Sequence, residues 1–142
     1  MRIFLDANIL FSAAKSDGAV RELLRLTMAA GHECWIDPYV EAEARRNLEV
    51  KAPKSVIALE GLLAECHSAP FRPATPEIDK ALVALPEKDR PVLAAAIRLE
   101  CDVLVTGDRT HFGVLFGKRL QGVRICSPAM LVATVAGRKL VE

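Results

Sequence analysis

Apolar and polar positions along the chain fall into short continuous apolar runs separated by longer amphipathic stretches. Arg2-Ile3-Phe4-Leu5 reads as a buried strand, because the run is unbroken and lacks in–out alternation. From 18 to 30, Val20, Leu23, Leu24, Leu26 and Thr27 recur at helical spacing and predict a helix with that stripe inward, stopped by Gly31. Cys34-Trp35-Ile36 predicts a second strand. Asp37-Pro38 supplies a cap and a first-turn proline, so a helix is expected from there to about Lys51. Pro53 restarts helix over 54–65, packed by Val56, Leu59, Leu62 and Leu63. The stretch 66–76, with Pro70, Pro73 and Pro76, is the most irregular and predicts one edge strand and then a loop. Thr75-Pro76-Glu77 begins a short helix ending near Leu85, and Asp89-Arg90-Pro91 begins another running to Leu99. Residues 102–106 form an almost wholly apolar strand, turned at Gly107-Asp108. Val123-Arg124-Ile125 is a last strand, and Ser127-Pro128 caps a final helix to about Ala136.

Strands thus alternate with helices, and the strands are apolar on both sides. That pattern predicts a mostly parallel sheet covered on both faces, a single three-layer α/β/α domain over 1–142. The length of 142 residues suits one domain, and 51% hydrophobic with 26% charged residues excludes wholesale disorder. Lys+Arg 19 against Asp+Glu 18 leaves a net charge of +1, so any contact with nucleic acid must use a local patch. Mean hydropathy of +0.22 leaves apolar surface for a partner, with self-association as a homodimer an expectation. No apolar run approaches the roughly 20 residues of a membrane helix, and Asp6 interrupts the first run too early for a secretion signal. Cys34, Cys66, Cys101 and Cys126 show no CxxC spacing and no nearby His to complete a zinc set. They read as buried reduced thiols of a cytoplasmic protein.

In open α/β sheets the functional crevice lies beyond the C-terminal strand ends. Asp6 follows Ile3-Phe4-Leu5 directly, and Asp108 comes two residues after Val103-Leu104-Val105-Thr106. If those strands are neighbours, the two acids face one another; each also suits a cap or a turn. Asp89 opens a helix whose apolar face is Val92, Leu93, Ala96 and Ile97, and a capping carboxylate is also a rigid ligand. In the helix after Asp37, Val40, Ala44 and Leu48 form the inward stripe with Glu43 and Asn47 alongside. Glu41, Arg45 and Glu49 form a second, solvated row. An inward Glu43 is costly unless something cationic meets it. Four acids converging on one crevice repel, so either some stay protonated or a divalent cation sits among them. An all-oxygen set points to Mg²⁺ or Mn²⁺, the usual apparatus of phosphoryl chemistry.

The order Asp6, Glu43, Asp89, Asp108 resembles the PIN-domain family of metal-dependent nucleases. The matching stretches are Phe4-Leu5-Asp6-Ala7-Asn8-Ile9-Leu10, Glu43-Ala44-Arg45-Arg46-Asn47-Leu48, Asp89-Arg90-Pro91-Val92-Leu93-Ala94-Ala95-Ala96 and Val103-Leu104-Val105-Thr106-Gly107-Asp108, closed by Phe112. The last two carry most of the weight, and the resemblance spans nearly the whole chain. It extends to the VapC-type toxins of toxin–antitoxin pairs, which implies a Mg²⁺-dependent endoribonuclease with an RNA substrate, an antitoxin protein partner and a dimeric state. It implies metal ligation by Asp6, Glu43, Asp89 and Asp108. Asn8 and Thr106 lie within the matching motifs, either orienting metal-bound waters or capping the neighbouring turns. Arg109 follows the fourth acid where such toxins often carry another acid, so a fifth ligand is not expected there. Arg45, Arg46, Lys51, Lys54, Arg109, Lys118 and Arg119 are the cations near these segments, but sequence alone does not assign RNA-binding residues. His32, His67 and His111 read as incidental, since a metal-activated water needs no histidine base. Two other readings compete. A receiver-type domain would want a Lys after a late strand, where Ser127-Pro128 stands. A non-catalytic PIN-like module would bind RNA or protein without the metal site. Neither GxGxxG nor GxxxxGK[ST] occurs, which leaves dinucleotide and P-loop NTPase readings unsupported.

Overall fold

The computed structural model describes residues 1–70, 75–83 and 85–141, with side chains to Ala136. Strands β1 (Arg2–Leu5), β2 (Glu33–Ile36), β3 (His67–Ser68), β4 (Val103–Val105), β5 (Arg119–Leu120) and β6 (Val123–Cys126) form one sheet in the order β3-β2-β1-β4-β6-β5. All pairings are parallel except β5 with β6. Successive side chains of a strand point to opposite faces. Ile3, Phe4 and Leu5 are each fully buried, as are Leu104 and Val105, so both faces of the central strands are covered. This is the mostly parallel α/β arrangement the unbroken apolar runs predict.

The helices are α1 (Ala7–Lys15), α2 (Ala19–Ala29), α3 (Pro38–Lys51), α4 (Val56–Glu65), α5 (Pro76–Ala81), α6 (Arg90–Arg98), α7 (Arg109–Phe112) and α8 (Pro128–Val141). Asp37 caps α3 by accepting the Val40 N–H at 3.1 Å, with Pro38 in the first turn. Val40, Ala44 and Leu48 are its buried stripe, as their spacing requires. In α2, Leu23, Leu24 and Thr27 turn inward, and the Thr27 hydroxyl donates to the Leu23 carbonyl at 2.7 Å. Leu26 departs from the expected stripe and is 47% exposed. It lies over a groove between α2 and α8 instead of over the sheet.

Other differences have local causes. Helix α1 follows β1 with only Asp6 between, because the same carboxylate that ends the strand caps the helix through the Ala7 N–H at 2.7 Å. Its spacing of Ile9, Leu10, Ala13 and Ala14 is helical, but small alanines and the missing loop hide it. Strand β5 turns into β6 through Gln121 at φ +51° and Gly122 at φ +86°, a two-residue hairpin with both central residues left-handed. Helix α5 ends at Ala81 and not near Leu85, and α8 runs past Ala136. Of the irregular stretch 66–76, β3 provides the expected edge strand; residues 71–74, with Pro73, lie outside the described residues, as does Ala84.

Phe112 closes α7 and is 1% exposed, so it anchors the segment after β4. Phe112→Ala is expected to lower the free energy of unfolding by about 3–5 kcal/mol, measured by urea titration. A loss below about 1 kcal/mol would show that the site collapses to fill the space.

Candidate active site

The two central strands define where the site lies. The Asp6 N–H donates to the Val105 carbonyl at 3.1 Å, continuing the β1–β4 ladder one step beyond Leu5. Asp6 is thereby held at the C-terminal sheet edge, and only 6% of it is exposed. Its Oδ2 accepts from the Thr106 hydroxyl at 2.7 Å and from the Asn8 side-chain amide at 3.2 Å. The Asn8 carbonyl oxygen accepts the Gly107 N–H at 2.8 Å, and Thr106 Oγ1 accepts the Asp108 N–H at 3.1 Å. Asn8 and Thr106 therefore stitch the end of β1 to the turn after β4. A Cβ on Gly107 would stand 3.4 Å from Asn8 Oδ1, so this turn has little room for a side chain.

Asp108 caps α7, its Oδ1 accepting the His111 N–H at 3.1 Å. Its Oδ2 lies 2.8 Å from His111 Nδ1. Asp89 precedes α6, and its Oδ2 stands 3.3 Å from the same nitrogen. That oxygen is buried without a hydrogen bond, the ring nitrogen being engaged with the nearer Asp108. Glu43 comes from α3, beside the buried Ala44, and faces the same space.

The structure brings Asp6, Glu43, Asp89 and Asp108 to one cavity of about 290 Å³, with Asn8 at its wall. Glu41, on the solvated row of α3, pairs with Arg45 at 3.3 Å. His111, set aside on sequence grounds, lines the cavity with the acids. Among the described residues, Asp89, Asp108 and His111 form the tight trio, with one ligand atom from each within 4.8 Å of the others. Lys88 also lines the cavity, and Tyr39 reaches over its rim to donate to the Lys88 carbonyl at 3.2 Å. The only sequence signals for Lys88 and His111 were their places next to Asp89 and three residues after Asp108. Of the cations noted in the sequence, Lys51 lines the cavity and sits 5.6 Å from the Phe11 ring centre, while Arg45 is taken up by Glu41 and Glu60.

The electrostatics follow from this packing. Burial pushes the Asp6 carboxyl above the ordinary aspartate value of 3.8; hydrogen bonds from Thr106, Ala7 and Asn8 oppose the rise, and the Glu43 charge adds to it. Burial would also raise Asp108, but the His111 N–H, ring and charge outweigh it and hold that carboxyl below 3.8. Burial raises Tyr39, and the charges of Glu43, Asp89 and Asp6 raise it further, so one phenol senses three of the acids. A hard divalent cation fits such a donor set, since it would meet the orphaned Asp89 oxygen and relieve the repulsion on Asp6.

An α/β sheet with an acidic cavity over its C-terminal edge defines a class, and the sequence names the family. The chain belongs to the PIN domain family, whose model matches residues 2–110. Among solved structures it is similar in fold to a chain of VapBC2 from Rickettsia felis bound to a promoter DNA fragment, with a TM-score of 0.68 and 19% identity over 89% of this chain and 98% of that one. A chain of DNA-bound VapBC from Salmonella typhimurium is similar at a TM-score of 0.66 and 18% identity, over 90% and 98% of the two chains. No curated protein matches the sequence.

The raised Asp6 value has a consequence for stability in metal-free protein. Folded Asp6 holds its proton more tightly than unfolded Asp6, so its contribution is fully present below the unfolded value and is lost as pH rises through the folded one. Urea titrations in EDTA between about pH 4 and pH 7 should show wild type losing stability relative to Asp6→Asn as pH rises. A difference that stays constant over that range would contradict the assignment.

Proposed function

We propose that this protein is a Mg²⁺- or Mn²⁺-dependent endoribonuclease that hydrolyses RNA phosphodiester bonds, and that it is the toxin of a toxin–antitoxin pair. One observation carries the reading: four carboxylates from separate parts of the chain line one cavity at the C-terminal edge of the sheet. Asp6, Glu43, Asp89 and Asp108 would hold the cation. When bound, it polarises a phosphate oxygen and makes a bound water more acidic.

The chain's own residues supply the positioning. Asp6 is locked by Thr106 and Asn8, so its free lone pairs point from a fixed place. Asp108 is fixed through the cap of α7; Asp89 stands at the start of α6, but its side chain makes none of the capping bonds expected there. Lys51 and Lys88 put positive charge at the wall, where a phosphate backbone entering an acidic cavity needs it. With aromatic residues at 5% of the chain, phosphate contacts outweigh base stacking in this reading.

The likeness to chains of VapBC complexes supports an antitoxin protein as partner. The exposed Leu26 and Val132 on the α2–α8 face are in keeping with a homodimer. No described helix is long and apolar enough to cross a membrane. The four cysteines are free, as a reducing cytoplasm would keep them.

The test is cleavage of a mixed, structured RNA pool by purified protein with Mg²⁺, with Mn²⁺ and with EDTA. Cutting is expected only with metal, and Asp6→Asn and Asp108→Asn should each lower the rate by about 100-fold or more. Equal cutting by wild type and variants would identify a contaminant and overturn the proposal. No cutting by a protein that binds no metal would favour a non-catalytic PIN-like module that binds RNA or protein.

A further inference from the structure

The donor atoms nearest one another in the cavity are not all oxygens. His111 Nδ1 lies 3.3 Å from Asp89 Oδ2 and 2.8 Å from Asp108 Oδ2. Two ligands in neighbouring positions of an octahedron stand roughly 3 Å apart when each is about 2.1 Å from the ion. The two separations that share His111 Nδ1 thus already match edges of an octahedron, and the two carboxylate oxygens lie within 4.8 Å of each other. Asp89 Oδ2 is buried and accepts no hydrogen bond, a costly state that a cation between it and the ring nitrogen would end. The backbone that carries the ring is held at two points: Phe112, the next residue, is buried in the core, and the His111 backbone N–H is bound by Asp108 Oδ1.

We propose that His111 is a metal ligand through Nδ1, completing a mixed nitrogen–oxygen site with Asp89 and Asp108 that selects Mn²⁺ over Mg²⁺. The inference rests on the divalent-metal reading above and makes that reading more specific. Imidazole suits later first-row ions, whereas Mg²⁺ takes oxygen ligands and keeps its waters. In the bound state the neutral ring carries its proton on Nε2.

The test uses the full chain, stripped with EDTA and reloaded with Mn²⁺ alone or Mg²⁺ alone. Pulsed electron paramagnetic resonance of the Mn²⁺ form reads directly coordinated nitrogen, and calorimetry gives both metal affinities. Wild type should show imidazole-nitrogen coupling that His111→Ala and His111→Asn both lose. Asn places an amide near Nδ1 and can keep the hydrogen bond to Asp108, but it offers no imidazole nitrogen. Both variants should bind Mn²⁺ about 10-fold or more weakly while Mg²⁺ affinity changes by less than about 3-fold, so the Mn²⁺ preference collapses. Mn²⁺ bound without nitrogen coupling in wild type, or an unchanged Mn²⁺ to Mg²⁺ ratio in either variant, overturns the ligand role and leaves the nuclease reading intact. Nitrogen coupling in a protein that cuts no RNA upholds the ligand role and overturns the nuclease reading. A wild type that binds no Mn²⁺ overturns both.

Discussion

The pairing of β1 with β4 is the constraint on which the site depends. Ile3 lies opposite Val103 and Leu5 opposite Val105, so two segments about a hundred positions apart become neighbours. The Asp6 N–H extends that ladder to Val105, and the side chains of Asn8 and Thr106 tie together the two turns that leave the sheet. Were this pairing to shift by one residue, every side chain of the central strands would exchange faces and Asp6 would leave the crevice. Complete burial of Ile3, Phe4 and Leu5 makes that shift prohibitively costly. The hydrophobic core thus sets the position of the polar site.

The polar site has a cost that the core sustains. Asp6 is desolvated beside Glu43, and its hydrogen bonds only partly offset the penalty of carrying charge there. Asp89 Oδ2 is buried without a hydrogen bond. Groups arranged in this way destabilise an isolated fold, which is the usual mark of a function being served. Asp108 differs, because His111 stabilises its charged form from the same short helix. The cavity therefore contains one carboxyl that resists ionisation and one that favours it, brought to the same sheet edge by the β1–β4 pairing.

Much of this was legible in the sequence, and what was not has physical reasons. Continuous apolar runs announced a sheet covered on both faces, and Asp37-Pro38 announced the start of α3. The stripe of Val40, Ala44 and Leu48 put Glu43 next to the core side, where it is found lining the cavity. That Asp6 and Asp108 share an edge needed the strand order, which no local pattern encodes. Helix α1 was hidden because one residue serves as both strand end and helix cap. His111 was passed over because α7 is a single turn of four residues, too short for periodicity to reveal which side chains face inward. Lys88 entered the cavity through the one-turn 3₁₀ segment Glu87–Asp89, which leaves as little trace.

The central claim is that the four carboxylates form one site completed by a divalent cation. Thermal unfolding of EDTA-treated wild type, Asp6→Asn and Asp89→Asn, with and without added Mg²⁺ or Mn²⁺, tests it most directly. An ion at about ten times its dissociation constant should stabilise wild type by about 1.4 kcal/mol, raising its melting temperature, with most of that gain missing from both variants. Equal shifts in all three proteins, or no shift in wild type at saturating ion, would contradict the claim.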